Sequence, residues 1–214
     1  LHDALPIWLR RVGDELLRGD GTPIRLWGAN AGPARDREQQ RYLARRLAKY
    51  GFNAARLHGL IADRSPGAAA TAVDADRLDA IFAAVAAYRE EGIYVALSTW
   101  FPLWLRVRDT DGTLGVPGEH PFALLFLDPQ MRALWKAWMR ALLTRKNPYT
   151  GTTLAADPAV ALVELQNEDN LFFHTFSRER VGARAWRVAE ERFHAWLTAR
   201  YGSAARALAA WRAA

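Results

Sequence analysis

The sequence predicts an α/β protein built on a parallel sheet, with the strands arranged as half of an eight-stranded β/α barrel. Three observations carry this. Short apolar, β-prone runs alternate four times with segments whose apolar residues recur at helical spacing, which implies right-handed crossovers and a parallel sheet. The turn after the first run, Trp27-Gly28-Ala29-Asn30-Ala31-Gly32-Pro33, contains neither G-x-G-x-x-G nor G-K-[ST], so it lacks the phosphate cradle of a doubly wound nucleotide-binding sheet. The fourth run, Val160-Ala161-Leu162-Val163-Glu164-Leu165, breaks off abruptly into Gln166-Asn167-Glu168-Asp169-Asn170. Amides and carboxylates just past the carboxyl end of a buried strand are where a barrel keeps its chemistry.

The elements follow in order. Residues 15–18 and 24–29 flank Gly19-Asp20-Gly21 and read as a hairpin leading into the first buried strand. Residues 37–50 place Leu43, Leu47 and Tyr50 at helical spacing, and Gly51 follows as a stop. Residues 54–58 form the second strand. Residues 74–91 form a second helix with Leu78, Ile81, Phe82 and Val85 on one face and Gly92 after its end. Residues 93–99 form the third strand. Residues 128–143 form a third helix, opened by an Asp-Pro pair that supplies an N-cap and a first-turn proline. Residues 159–166 form the fourth strand and 183–201 the fourth helix. Ser203 caps a short last helix.

Composition narrows the function classes. A chain of 214 residues, half of them hydrophobic, can bury a full domain core. No run approaches the roughly 18–20 apolar residues that cross a bilayer. The chain starts at Leu1, and no charged segment followed by an apolar one opens it, so no signal peptide is visible. Without cysteine there are no disulfides and no thiolate metal sites. Only Lys49, Lys136 and Lys146 among the 29 basic residues are Lys; the rest are Arg, spread over the predicted helices near Asp or Glu. A nucleic-acid binder would gather them into one stripe, so the net charge of +6 does not point to nucleic acid. The five His (His2, His58, His120, His174, His194) show neither H-E-x-x-H nor close ligand spacing, which argues against a metal site. A G-x-S-x-G nucleophile elbow is also missing.

Four segments resemble, in order, the amino-terminal half of a clan A glycoside hydrolase, the cellulase-like family 5. They are Gly19-Asp20-Gly21-Thr22-Pro23-Ile24-Arg25-Leu26-Trp27-Gly28-Ala29-Asn30, Gly51-Phe52-Asn53-Ala54-Ala55-Arg56-Leu57-His58, Gly92-Ile93-Tyr94-Val95-Ala96-Leu97-Ser98 and Val163-Glu164-Leu165-Gln166-Asn167-Glu168. The resemblance implies a (β/α)8 TIM barrel, present here as an incomplete fragment of about four β/α units behind an N-terminal β-hairpin. It covers nearly the whole chain from about Val12. Residues 1–214 are thus taken as one partial barrel domain, in which 1–11 stand apart as linker or non-native residues, since Leu1 to Ile7 match nothing in the family. For a full-length parent a secreted or periplasmic location stays open.

By that resemblance Glu168 is the general acid/base and Asn167 holds a sugar hydroxyl beside the reacting carbon; alternatively Asn167 only caps backbone. Strand alternation puts Glu164, Gln166 and Glu168 on one face. Glu164 then lies deeper in the barrel, where a carboxylate needs a cation. Arg56 is the candidate, and a structural ion pair is the preferred reading of Glu164. Arg56 matches the Arg that steadies the nucleophile in the family, and His58, on the same strand face, either binds a sugar hydroxyl or packs. Ser98-Thr99-Trp100 stands where family members often place a His, a departure that marks a divergent subgroup. Trp27, Trp100 and Trp104 are candidate sugar platforms, with core packing as the competing reading. Phe172, Phe173, His174 and Phe176 either wall the acid or pack the start of the fourth helix.

The function implied is O-glycosyl hydrolysis of an oligo- or polysaccharide by retaining double displacement, with no metal or organic cofactor. A retaining pair of carboxylates stands about 5–5.5 Å apart. No second Glu matches the nucleophile motif, which the resemblance places near the end of a seventh strand. The nucleophile is therefore expected beyond the carboxyl terminus, and the chain by itself is expected to be inactive. The alternatives are a non-catalytic carbohydrate-binding protein on the same barrel, or another barrel hydrolase or lyase.

Overall fold

In the computed structural model residues 8–212 are described, and the chain opens with a hairpin that hydrophobic periodicity does not announce. Strands β1 (Leu9–Val12) and β2 (Glu15–Arg18) pair antiparallel around Gly13-Asp14. Gly13 takes φ 60°, the backbone that a Gly-X two-residue hairpin turn requires. The Gly19-Asp20-Gly21 turn also forms, closed by hydrogen bonds from Arg18 N to Thr22 O and from Gly21 N to Arg18 O, both 2.8 Å. Its far arm returns along β2 only as far as an isolated bridge between Leu17 and Pro23. The expectation on Leu1 to Ile7 falls outside the described residues.

The parallel sheet has four strands in sequential order: β3 (Gly28–Asn30), β4 (Ala54–His58), β5 (Tyr94–Ser98) and β6 (Val160–Glu164). A doubly wound sheet reverses its strand order at a switch point; this one does not, in keeping with a barrel segment. Three strands are shorter than periodicity predicts, β5 by one residue at each end and β3 and β6 by more. Residues 24–27 do not join the ladder because the Asn53 side chain takes its place. Asn53 Oδ1 accepts from Trp27 N at 2.6 Å and Nδ2 donates to Arg25 O at 2.8 Å. At the other edge β6 stops at Glu164, whose register partner Ser98 is the last residue of β5.

Helices α1 (Arg37–Lys49) and α2 (Ala75–Glu90) are capped by Asp36 and Asp74, whose carboxylates accept from the third residue on, Gln39 N and Arg77 N. Each then ends before a glycine in the left-handed region, Gly51 (φ 82°) and Gly92 (φ 71°). Alternation along β4 and β5 sends Ala55, Leu57, Val95 and Leu97 into the core, where they are at most 2% exposed. Leu78, Ile81, Phe82 and Val85 of α2 are buried as well, as predicted. The start of β6 is fixed by Asp157, fully buried, which accepts from Arg89 Nη1 at 3.1 Å and Ala159 N at 3.0 Å.

The remaining helices are α3 (Leu124–Leu127), α4 (Pro129–Thr144), α5 (Arg178–Val181), α6 (Ala183–Tyr201) and α7 (Ala204–Arg212). Among the described residues, 8–101 together with Leu134–Asn167 form one compact unit that contains the whole parallel sheet. Pro102–Ala133 and residues 168–212 form a second. In the second unit the stretch after Phe101, which lies between the predicted third strand and third helix, is packed. Leu105, Val107, Phe122 and Leu124 are each at most 5% exposed. No helix among the described residues is long and apolar enough to cross a membrane.

Candidate active site

Polar side chains gather at the carboxyl ends of β3 to β6. Register explains why. Asn30 pairs with Arg56, Arg56 with Ala96, His58 with Ser98, and Ser98 with Glu164. Side chains two residues apart on one strand share a face, so Arg56 and His58 project beside Ser98 and Glu164, opposite to the buried Leu57 and Leu97.

Arg56 ties the group together. Its Nη1 donates to Asn30 Oδ1 at 3.2 Å. Its Nη2 donates to Glu164 Oε2 at 2.5 Å, to Ser98 Oγ at 2.9 Å and to Asn167 Oδ1 at 3.1 Å. Ser98 Oγ also donates to Glu164 Oε2 and meets His58 Nδ1 at 2.7 Å. The predicted Arg56–Glu164 ion pair is therefore formed. Burial works against ionising Glu164, but the hydrogen bonds from Ser98 and Arg56 outweigh it and hold the carboxyl below the usual carboxylate range. Planar, multi-donor Arg suits such a hub better than Lys would.

Asn167 joins this cluster through its side chain, and its backbone N–H donates to Trp100 O at 3.0 Å. The shared face expected for Glu164, Gln166 and Glu168 does not extend that far, because the strand ends at Glu164. Glu168 lies four residues beyond it, is exposed, and has φ 48°. That left-handed backbone costs a non-glycine residue roughly 1–2 kcal/mol. Only one other described non-glycine residue, Ala123, has positive φ. Strain of this kind collects at functional positions, and Glu168 carries it.

Two of the three aromatic platforms, Trp100 and Trp27, are corrected. Trp100 is 1% exposed and stacks on Trp138 with 6.1 Å between ring centroids, so neither face is open to a sugar. Trp27 is 64% exposed, but it precedes β3, at the amino end of the sheet. There it stacks on Phe52 at 6.0 Å, the whole length of the strand away from Arg56 and His58. Strand-end proximity in sequence did not distinguish the two ends. The aromatic run after Glu168 does not form a continuous wall: Phe172 stands fully in solvent, Phe173 packs on His174 at 4.4 Å, and Phe176 packs on Trp186 at 5.2 Å. Sequence reading missed Ser98 and Asn30 as members of the cluster. The signal for Ser98 was present in the departure Ser98-Thr99-Trp100.

No protein-family model matches the chain, and no curated protein matches it in sequence. Solved structures do match. An endo-1,4-beta-mannanase from Rhizomucor miehei superposes with a TM-score of 0.59 at 16% identity, over 75% of this chain and 48% of that one. A glycoside hydrolase family 5 mannosidase from the same organism gives 0.52 at 14% identity, over 76% and 49%. The chain spans about half the length of these structures. At such identities the likeness shows the fold: a glycosidase-like arrangement of parallel strands and helices.

Proposed function

We propose that this chain carries the acid/base part of an O-glycosyl hydrolase acting on oligo- or polysaccharides, and that its sheet is the first half of a TIM barrel. The observation that carries the reading is the cluster Arg56–Ser98–Glu164–Asn167, at the carboxyl ends of sequentially ordered parallel strands in a glycosidase-like fold. Glu168 follows Asn167 directly, as the family motif requires, and its strained backbone supports a functional role.

In this reading Glu168 protonates the glycosidic oxygen while a second carboxylate, supplied by residues outside these 214, attacks the anomeric carbon. Glu168 then takes a proton from the water that releases the sugar. Arg56, already neutralised by Glu164, positions Asn167 and the cluster around it. His58 contributes a hydrogen bond to a sugar hydroxyl, and Asn167 another. The chemistry calls for no metal or organic cofactor. The test is hydrolysis of β-1,4-linked manno- and cello-oligosaccharides by a polypeptide joining these residues to the remainder of the barrel. Cleavage that disappears on Glu168→Gln supports the hydrolase. Tight saccharide binding without cleavage would make the protein a binding module on the same fold.

A further inference from the structure

Helices α1 and α2 pack side by side, and a cavity of about 250 Å³ lies between them, floored by Ala83, Ala86 and Ala87 of α2. Arg37 and Arg41 reach it from α1, one helical turn apart and so on one face. Tyr149 lines it too, on a turn that is fixed to α2. Asn147, fully buried, donates from Nδ2 to Phe82 O at 3.0 Å and accepts from Tyr149 N at 2.9 Å. Tyr149 Oη donates to the Asp79 carboxylate, 2.8 Å from each oxygen. The Arg37 guanidinium lies over that ring, 4.5 Å from its centroid. Among the described residues its partner is this ring face and no carboxylate. Stacking uses the flat face of a guanidinium and leaves its in-plane N–H donors unused. Arg41 approaches Glu90 no closer than 4.0 Å, beyond hydrogen-bond length, and both side chains are more than half exposed. Its donors are unused as well.

We infer that this groove binds a small molecule through a phosphate group. Each guanidinium presents a planar fork suited to two oxygens, and the three terminal oxygens of a phosphate dianion can serve both forks at once. A lone carboxylate has only two oxygens and would do no more than stand in for Glu90 at Arg41. Glu90 and Asp79 are the negative charges close by. Asp79 is engaged with the Tyr149 hydroxyl, at the outer edge of the ring, whereas Glu90 competes with the ligand for Arg41. The volume lies below the roughly 300–1,000 Å³ of sites for drug-sized ligands, so the bearer of the phosphate is a small one. The groove shares no residue with the Arg56 cluster and needs no part of the hydrolase reading.

The experiment is a titration of the 15N-labelled full chain with inorganic phosphate at pH 7 and constant ionic strength, read from the backbone amide NMR signals of Ala83, Ala87 and Tyr149. Shifts that saturate in the millimolar range are expected. Arg37→Gln and Arg41→Gln should each weaken binding about tenfold, the low end of what a hydrogen bond to a charged group contributes. Glu90→Gln, which removes the competing carboxylate, should tighten it several-fold. Arg45→Gln is the control: Arg45, one turn further along α1, pairs with Glu91 at 3.5 Å, and its loss should leave the affinity unchanged. All four side chains are exposed, so the variants fold. Glycerol phosphate binding more tightly than inorganic phosphate identifies the ligand as a phosphate monoester, and equal binding identifies it as free phosphate; either outcome supports the site. Shifts that do not saturate, acetate binding as tightly as phosphate, or equal weakening by Arg37→Gln and Arg45→Gln would each overturn it.

Discussion

Arg56 and Glu164 are 108 residues apart in sequence and 2.5 Å apart in space, joined by the in-order pairing of β4, β5 and β6. Strand β5 lies between theirs, and the two side chains reach across it to meet at Ser98. Glu164 is 36% and Arg56 27% exposed at the side chain, so water screens part of the attraction. The pair's value lies in geometry: it holds the Arg56 fork where it also reaches Asn30, Ser98 and Asn167.

The first prediction is a pH dependence. The Glu164 carboxyl is held below its ordinary value of 4.5: burial opposes this, and the Ser98 and Arg56 hydrogen bonds overcome it. The unfolded chain therefore takes up this proton first as pH falls. The stabilisation is fully present above the unfolded value and is lost as pH drops through the lower folded one. Thermal unfolding should show Glu164→Gln less stable than wild type at pH 7, with the gap closing below about pH 4. A gap that stays constant from pH 7 to pH 3 would show that the charge on Glu164 contributes nothing.

The second prediction separates core from platform. Trp100→Ala should cost about 3–5 kcal/mol in urea unfolding, as large-to-small changes of buried aromatics do. Trp27→Ala, at the exposed amino end of the sheet, should cost no more than about 1 kcal/mol and leave saccharide affinity unchanged. A stable Trp100→Ala protein with weakened saccharide binding would return Trp100 to the site.

The middle of each element was legible in the sequence, and the ends were not. Helical spacing with a trailing glycine placed α1 and α2 to within a residue at each end, because those signals are local. The limits of β3 and β6 depend on partners far along the chain. Asn53 supplants the ladder at Trp27, and β5 runs out of partners at Ser98. Periodicity within one strand carries neither fact. The same holds for the site. Arg56 and Glu164 were readable as a pair because a buried carboxylate demands a cation. Trp100 was misread because a tryptophan after a strand looks the same in sequence whether it faces a cleft or, as here, Trp138.

The third prediction tests the role proposed for Glu168. If these residues are joined to the remainder of a barrel, as proposed above, Glu168→Gln should lower turnover of unactivated glycosides on the order of 10²–10⁴-fold, the usual worth of general acid–base catalysis. Aryl glycosides with good leaving groups need little protonation and should lose far less in the glycosylation step. NMR of the first-formed product should show retained anomeric configuration, and clean inversion would exclude the double displacement. Equal losses on both substrate types would mark Glu168 as structural.

The fourth prediction lies in the second unit, at the residue that follows Glu168. Asp169 is 2% exposed and accepts from the backbone N–H of Ala123, at 2.9 and 3.2 Å to its two oxygens. Burial raises its pKa to about 6, with the Ala123 hydrogen bond pulling weakly the other way. The sign is opposite to that of Glu164. Between the unfolded value of 3.8 and about 6 the folded chain keeps a proton that the unfolded chain releases. Stability is therefore greatest below that window and falls as pH rises through it. Asp169→Asn retains an oxygen for the Ala123 N–H and carries no charge. It should stabilise the protein at pH 7 by on the order of 1–3 kcal/mol, since each tenfold change in proton affinity is worth about 1.4 kcal/mol. It should also remove the decline between pH 4 and pH 6. Urea unfolding at pH 4, 5, 6 and 7 measures both; an Asn variant less stable than wild type at pH 7 would show that the buried carboxylate is stabilised by its surroundings and not tolerated at a cost.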